Sequence, residues 1–279
     1  MGLGGYLTWT ATFREIQQKV ADPRVRIIPV ETDNDVVLRV VRSPIFDHNP
    51  YITYDINYKF GLRISLNNPA MSYCILDTPR HATHRQGEHI ITHMCKQYKI
   101  QNPKLKCELY FSDSEQGKVV SLRRDLDLKF IAVEPCTKTS YTPNRAYSFT
   151  KWQNIVDELS KSVQVVQLGL KSDYGLRNTT DFRGLTSFKE AALLIGESKA
   201  FLSTEGGLVH AATSVETPAV VIITGYQDER MVAYPQNINV NIAKHGPCGL
   251  KVRCEECVRD ANQHDEGQII ERTKELLSA

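Results

Sequence analysis

The chain has 279 residues, with 34 Lys and Arg against 32 Asp and Glu, a formal net charge of +2, and seven cysteines. That length can bury the core of one large or two medium domains, and so small a charge argues against nucleic acid as a partner. No apolar run reaches the ~20 residues needed to cross a bilayer. No signal-peptide pattern opens the chain and the cysteine count is odd, so the sequence points to reduced thiols in a cytoplasm.

In chain order, the first segment is glycine-rich, Gly2-Leu3-Gly4-Gly5-Tyr6-Leu7-Thr8. Residues 25–30 read as a strand, and 34–41 as a helical stretch. Residues 49–68 are rich in Tyr and Asn and poorly patterned, and 86–98 read as an amphipathic helix. Charge dominates 122–128 (Arg123, Arg124, Asp125, Asp127), which suits a link between domains. Residues 129–134 form an apolar strand ending at Pro135, followed by a polar loop with Thr137, Lys138, Asn144 and Arg145. Phe149, Trp152, Ile155, Val156 and Leu159 recur at helical spacing. The next strand, 163–168, stops at Gly169; a helix over 187–196 then has Ser187 as its cap and Glu190 at the capping-box position. Strands over 199–202 and 219–223 flank the run Ser203-Thr204-Glu205-Gly206-Gly207-Leu208-Val209-His210-Ala211-Ala212. Residues 266–279 read as a terminal helix with Ile269, Ile270, Leu276 and Leu277 on one face.

Strands alternating with helices predict an α/β fold with a parallel sheet, whose ligands bind beyond the carboxyl ends of the strands. The flanked run then reads as strand end, glycine turn and helix start. Paired glycines let an anion approach the backbone, and a helix start offers unpaired N–H groups and partial positive charge. Phosphate or pyrophosphate fits such a place, with His210 one turn in. The plain alternative is a tight connection with a partly buried histidine.

The pieces FIAVEPCTKTSYTPNRAYSFTKWQNIVDEL, VQVVQLG, TDFRGLTSFKEAALLIGESKAFLSTEGGLVHAATSVETPAVVIITG and Tyr234-Pro235 occur in an order that resembles glycosyltransferase family 9, the ADP-heptose:lipopolysaccharide heptosyltransferase family. The resemblance implies the GT-B fold, two Rossmann-like domains with parallel sheets facing across a cleft. Residues 1–121 would be the acceptor-side domain, entering at the turn without its first strand. Residues 122–265 would be the sugar-nucleotide domain, and 266–279 a helix that packs back across both. It further implies an enzyme, expected in the cytoplasm; the small positive charge leaves open weak attraction to the anionic inner face of the membrane, especially through Arg123-Arg124 and the Lys and Arg of 244–253. That enzyme would move a sugar, such as heptose, from a nucleotide-diphospho-sugar to a glycan or lipid-linked acceptor with inversion.

By the same resemblance Thr137 and Lys138 stand in the phosphate-contacting loop. Arg145 matches the cation that precedes the Trp-containing helix, where charge develops on the departing diphosphate. Asp173 is a candidate for ribose hydroxyls. Glu205 stands where the family more often has Asp, and is expected to contact the donor sugar or brace the loop. Gly206 and Gly207 line the phosphate's path. The family's acceptor-side aspartate, its expected general base, is replaced by Gly5. Either the natural start lies upstream, or the base is lost or relocated, with Asp55, Asp77, His81 and His84 as candidates.

Cys248, Cys254 and Cys257 form C-x5-C-x2-C, with His245 upstream and His264 downstream. Thiolates and imidazole at such spacing suit a structural zinc or iron ion, the alternative being free thiols; catalysis by this family needs no metal. Two rival functions are a GT-B sugar-nucleotide epimerase and a degenerate, non-catalytic sugar-nucleotide-binding or assembly protein.

Overall fold

The computed structural model describes residues 2–68, 74–78, 81–84, 87–136, 138 and 140–278, without the side chains of 74–78 and 81–84. Its centre is a parallel sheet. Among the described residues the sheet holds β6 (Phe130–Glu134), β7 (Gln164–Gln167), β8 (Thr180–Asp181), β9 (Phe201–Thr204), β10 (Ala219–Ile223) and β11 (Ile238–Asn241), in the spatial order β11-β10-β9-β6-β7-β8. Every pairing is parallel. The chain starts in the middle, runs outward through β7 and β8, then crosses to β9 and runs out the other way. This is the doubly wound order, and the crevice between β6 and β9 is its switch point.

Strand side chains alternate between the two faces. Phe130 and Ala132 enter a core with α5 (Phe188–Gly196) and α6 (Gly207–Ser214). Ile131 and Val133 enter another with Trp152, Ile155 and Leu159 of α4 (Phe149–Leu159) and Ile269 of α9 (Gly267–Ser278). Helices on both faces explain why β6 and β10 are apolar almost throughout. Two shorter helices, α7 (Glu229–Val232) and α8 (Glu255–Gln263), flank β11, and the terminal helix α9 packs on α4 and β10.

The N-terminal half opens with α1 (Leu3–Val20), an 18-residue helix that the glycine-rich start concealed. It is buried along Leu7 to Phe13 and packs on α6 and on α2 (Ile90–Gln97). Beside it, β1 (Arg26–Asp33) pairs antiparallel with β2 (Val36–Val40) and parallel with β3 (Gly61–Ser65). The stretch 34–41, expected to be helical, is therefore half of a hairpin. Asn34 and Asp35 take φ of 44° and 64°, which these two residue types tolerate and a two-residue hairpin turn requires. The pair β4 (Cys74–Thr78) and β5 (His81–His84) follows. The expected boundary at 121/122 falls in the last turn of α3 (Asp113–Arg123). This helix is held on α5 by Lys118 to Glu190 (2.8 Å) and Lys189 to Glu115 (3.1 Å).

Candidate functional site

The switch-point crevice is lined by the ends of β6 and β9. Ser203 Oγ donates to the Glu134 carbonyl at 2.9 Å, locking the two strand ends together. Beyond Thr204 the chain turns through Glu205 and Gly206 into α6. Gly206 caps that helix with extended backbone (φ −174°, ψ −174°), and among the described residues no side-chain cap bonds its first N–H groups. The two glycines differ in why they are small. A Cβ on Gly207 would lie 3.2 Å from the Phe188 ring and 3.7 Å from Gly4, whereas one on Gly206 would meet, among the described residues, only the Thr204 carbonyl, at 3.7 Å.

Glu205 is only 2 % exposed. Its carboxylate accepts from Thr224 Oγ1 at 2.6 Å and Thr224 N at 3.1 Å, and lies 4.0 Å from Arg145 Nε. Burial pushes its pKa up, against the pull of Arg145 and Thr224. Of the two expected roles, loop bracing is the one these bonds perform. Arg145 ends a 3₁₀ turn (Pro143–Arg145) and lies over the Tyr226 ring at 4.9 Å and the Tyr141 ring at 5.8 Å. Its Nη2 donates to Gln227 at 2.8 Å, while its buried Nε has no hydrogen-bond partner among the described residues.

One turn into α6, His210 Nδ1 is 2.7 Å from the Tyr234 hydroxyl, which is 3.4 Å from Cys107 Sγ. Burial, with the charges of His89 and Arg145, lowers the His210 pKa to about 3, so the ring is neutral at pH 7. On the other side of β6, Asp173 Oδ2 accepts from Leu170 N at 2.6 Å and braces the loop after Gly169. Lys138 is exposed. Thr137 lies outside the described residues, as do the side chains of Asp77, His81 and His84. Asp55 is exposed and caps its own turn, accepting from Asn57 N at 2.9 Å.

Sequence reading missed Glu134. It ends an apolar strand just before Pro135, and only the neighbouring strand shows that it faces the crevice. Burial raises its pKa to about 7, with Asp173 adding to the rise and Ser203 opposing it.

A second cluster lies beyond β11. Ligand atoms of His245, Cys254 and Cys257 are all within 4.8 Å of one another, and Cys257 Sγ is 3.4 Å from Cys248 Sγ. The six described cysteines are free. Three sulfurs and one imidazole fit a tetrahedral zinc or iron site. The surroundings fit as well: Leu250 N points at Cys248 Sγ (3.5 Å), and Asp260 lies 2.8 Å from His245 Nδ1, the place of an outer partner for a ligating imidazole. The thiol of Cys257 draws the Cys248 pKa below the ordinary thiol value. Of the two histidines considered, His264 is engaged elsewhere, with Tyr147 Oη at 2.9 Å and Gln268 at 3.0 Å.

Residues 76–260, which hold the switch point, the glycine turn and the cysteines, match the family model for glycosyltransferase family 9 (heptosyltransferase). The chain belongs to glycosyltransferase family 9. It is thus a glycosyltransferase, and neither the epimerase nor the non-catalytic reading is favoured. The fold is that of the family's solved members. A family 9 glycosyltransferase from Veillonella parvula is similar over 99 % of this chain and 94 % of its own, with a TM-score of 0.67 at 12 % identity. The iron-containing dodecameric glycosyltransferase TibC from enterotoxigenic Escherichia coli is similar over 99 % and 74 %, with a TM-score of 0.65 at 13 % identity. The E. coli ADP-heptose lipopolysaccharide heptosyltransferase II covers 68 % and 62 %, with a TM-score of 0.53 at 15 % identity. No curated protein matches the sequence. Among the described residues no helix is long and apolar enough to cross a membrane.

Proposed function

We propose that this family 9 protein transfers heptose from ADP-heptose to a glycan or lipid-linked acceptor, with inversion, as a step of lipopolysaccharide-type glycan synthesis at the cytoplasmic face of a membrane. The observation that carries the reading is the uncapped start of α6 at Gly206-Gly207, with Arg145 Nε 4.0 Å from Glu205 directly before it; Thr137 and Lys138 are the further phosphate contacts that the family resemblance implies. TibC, which shares the fold, has been solved with ADP-D-beta-D-heptose. The diphosphate would lie against the helix N–H groups and Arg145, with Asp173 on the ribose side and neutral His210 and the Glu205-braced loop beneath the sugar. The acceptor oxygen forms its bond to the anomeric carbon as the bond from that carbon to the phosphate oxygen breaks. The acceptor proton passes to a base and the new charge stays on the diphosphate. Gly5 cannot serve as that base, which leaves Asp55, Asp77, His81 and His84. The division at 1–121, 122–265 and 266–279 puts the acceptor on the first part and the donor on the second.

Cys248, Cys254, Cys257 and His245 would hold zinc or iron, whose contribution is to cross-link the chain beyond β11. The donor is tested by offering the purified protein a panel of nucleotide sugars with a glycan extract and measuring free nucleoside diphosphate. ADP release from ADP-heptose, faster than from the other donors, is expected. Turnover of another donor with none of ADP-heptose would refute the assignment.

A further inference from the structure

The cysteine loop and the turn that carries Arg145 meet at the Asn144 side chain. Asn144 is 3 % exposed and sits directly before Arg145 in the 3₁₀ turn. Its carboxamide addresses every second residue of the cysteine loop. Nδ2 donates to the carbonyls of Leu250 and Val252, both at 2.8 Å, and points to Cys248 Sγ at 3.9 Å; Oδ1 accepts from Cys254 N at 2.8 Å. Thr142, fully buried, adds a bond from Oγ1 to the Leu250 carbonyl at 2.8 Å and accepts from Asn144 N at 3.2 Å. The same loop supports Arg145 from its other side. Cys248 N and Gly249 N donate to the carbonyls of Gly225 and Tyr226 at 2.8 and 3.0 Å, and the Tyr226 ring is the one over which Arg145 lies. Lys251, in the middle of the loop, sits 4.8 Å from the centroid of Tyr141, the second ring beside Arg145.

We propose that Asn144 is a positioning residue that couples the cysteine loop to Arg145, so that the integrity of the cysteine cluster sets the affinity for a nucleoside diphosphate. The proposal rests on the reading of Arg145 as a diphosphate ligand. A guanidinium stacked on two rings contributes to phosphate binding only when its backbone and both rings are fixed. Asn144 and the Cys248–Gly249 amides fix the turn and one ring to a single loop, whose ends are the cysteines. If the cluster is disrupted, that loop loses its anchor and Arg145 keeps its charge but not its place.

The test is calorimetric binding of ADP and of adenosine to the full chain, for wild type and for Arg145→Ala, Asn144→Ala, Thr142→Val and Cys248→Ser, with folding followed by circular dichroism. Asn144→Ala and Cys248→Ser should each weaken ADP by about tenfold or more, the scale of one charge-assisted hydrogen bond, and leave adenosine within about twofold. Thr142→Val, which loses the two bonds of Oγ1 but keeps the Asn144 carboxamide, should shift ADP the same way by less, and it decides the matter if Asn144→Ala does not fold. A merely structural role would weaken ADP and adenosine alike, and that result overturns the proposal. So does unchanged ADP affinity in folded Asn144→Ala, Thr142→Val or Cys248→Ser while Arg145→Ala loses it. Unchanged ADP affinity in Arg145→Ala would instead remove the diphosphate reading and this coupling together.

Discussion

Gly4 at the start of α1 lies directly against Gly207 at the start of α6: a Cβ on Gly4 would stand 3.1 Å from the Gly207 Cα and 3.4 Å from His210 Cδ2. Two helix starts from the two halves of the chain meet there because neither carries a side chain. A methyl at either position must push backbone or the Phe188 ring, and overpacking of this kind costs about 1–3 kcal/mol. Gly4→Ala and Gly207→Ala should therefore each lower thermal stability, and the double variant should depart from additivity because the two added methyls share one space. Differential scanning calorimetry of the three variants checks this. Wild-type melting in both single variants would mean that the helix starts are not in contact.

Arg145 and Glu205 form a second dependent pair. With Arg145 removed, a carboxylate that is 2 % exposed keeps its Thr224 bonds but loses its nearby positive charge. An uncompensated buried charge costs about 3 kcal/mol at most in so loosely spaced a pair. Arg145→Met should be destabilised at pH 8, and Arg145→Met/Glu205→Gln should recover most of the loss. Urea unfolding of the single and double variants reads this directly, and a double variant no more stable than the single one would count against the pairing.

Glu134 makes a prediction about pH. Its folded-state value is raised from 4.5 to about 7, so between those values the folded protein holds a proton that the unfolded chain has released. Stability from this group is complete below pH 4.5 and falls as pH rises toward 7. His89 and His210, lowered to about 4 and about 3 by burial, act in the opposite sense: their contribution is lost as pH falls below the ordinary histidine value. The difference between wild type and Glu134→Gln isolates the carboxyl. Glu134→Gln should gain stability relative to wild type as pH rises from 5 to 7.5, measured by urea unfolding. A pH-independent difference would place the carboxyl in solvent.

The cysteine cluster predicts a bound metal. Protein purified without added metal should carry near-stoichiometric zinc or iron by elemental analysis, and Cys257→Ser should lose it and melt earlier, since binding to a folded-state site adds to stability. His245→Ala should behave likewise and His264→Ala should keep its metal, because His264 is tied to Tyr147 and Gln268. Metal-free wild type that melts no earlier than metal-loaded protein would favour free thiols.

How much was legible depended on where each segment ends up. The strands β6, β7, β9 and β10 and the helices between them were readable because a sheet covered on both faces forces unbroken apolar runs, and because Ser187 and Glu190 form the expected capping box. The long helix α1 was not. Its first turn is glycine-rich, and burial from Leu7 through Phe13 leaves no polar stripe to give a helical period. Residues 34–41 misled because Val-Val-Leu-Arg-Val carries no clear alternation, while the deciding signal was the Asn34-Asp35 turn. Glu134 and the choice of His245 over His264 were beyond the sequence, since each depends on a neighbour distant in the chain: Ser203 for the first, Cys254 and Cys257 for the second.

If the start of α6 receives the diphosphate, a side chain at Gly206 should stand in its way. The Gly206 backbone is extended, which any residue can adopt, and among the described residues a Cβ there meets nothing closer than 3.7 Å. The Cβ of Gly206→Val therefore has room, and a variant that melts like wild type makes a loss of binding a report on the ligand's space alone. Titration calorimetry with ADP on wild type and Gly206→Val is the measurement. The account predicts at least about a tenfold weaker ADP affinity in the variant at unchanged melting temperature, the cost of blocking backbone N–H contacts to a charged group. Equal ADP affinity in the two proteins would contradict it.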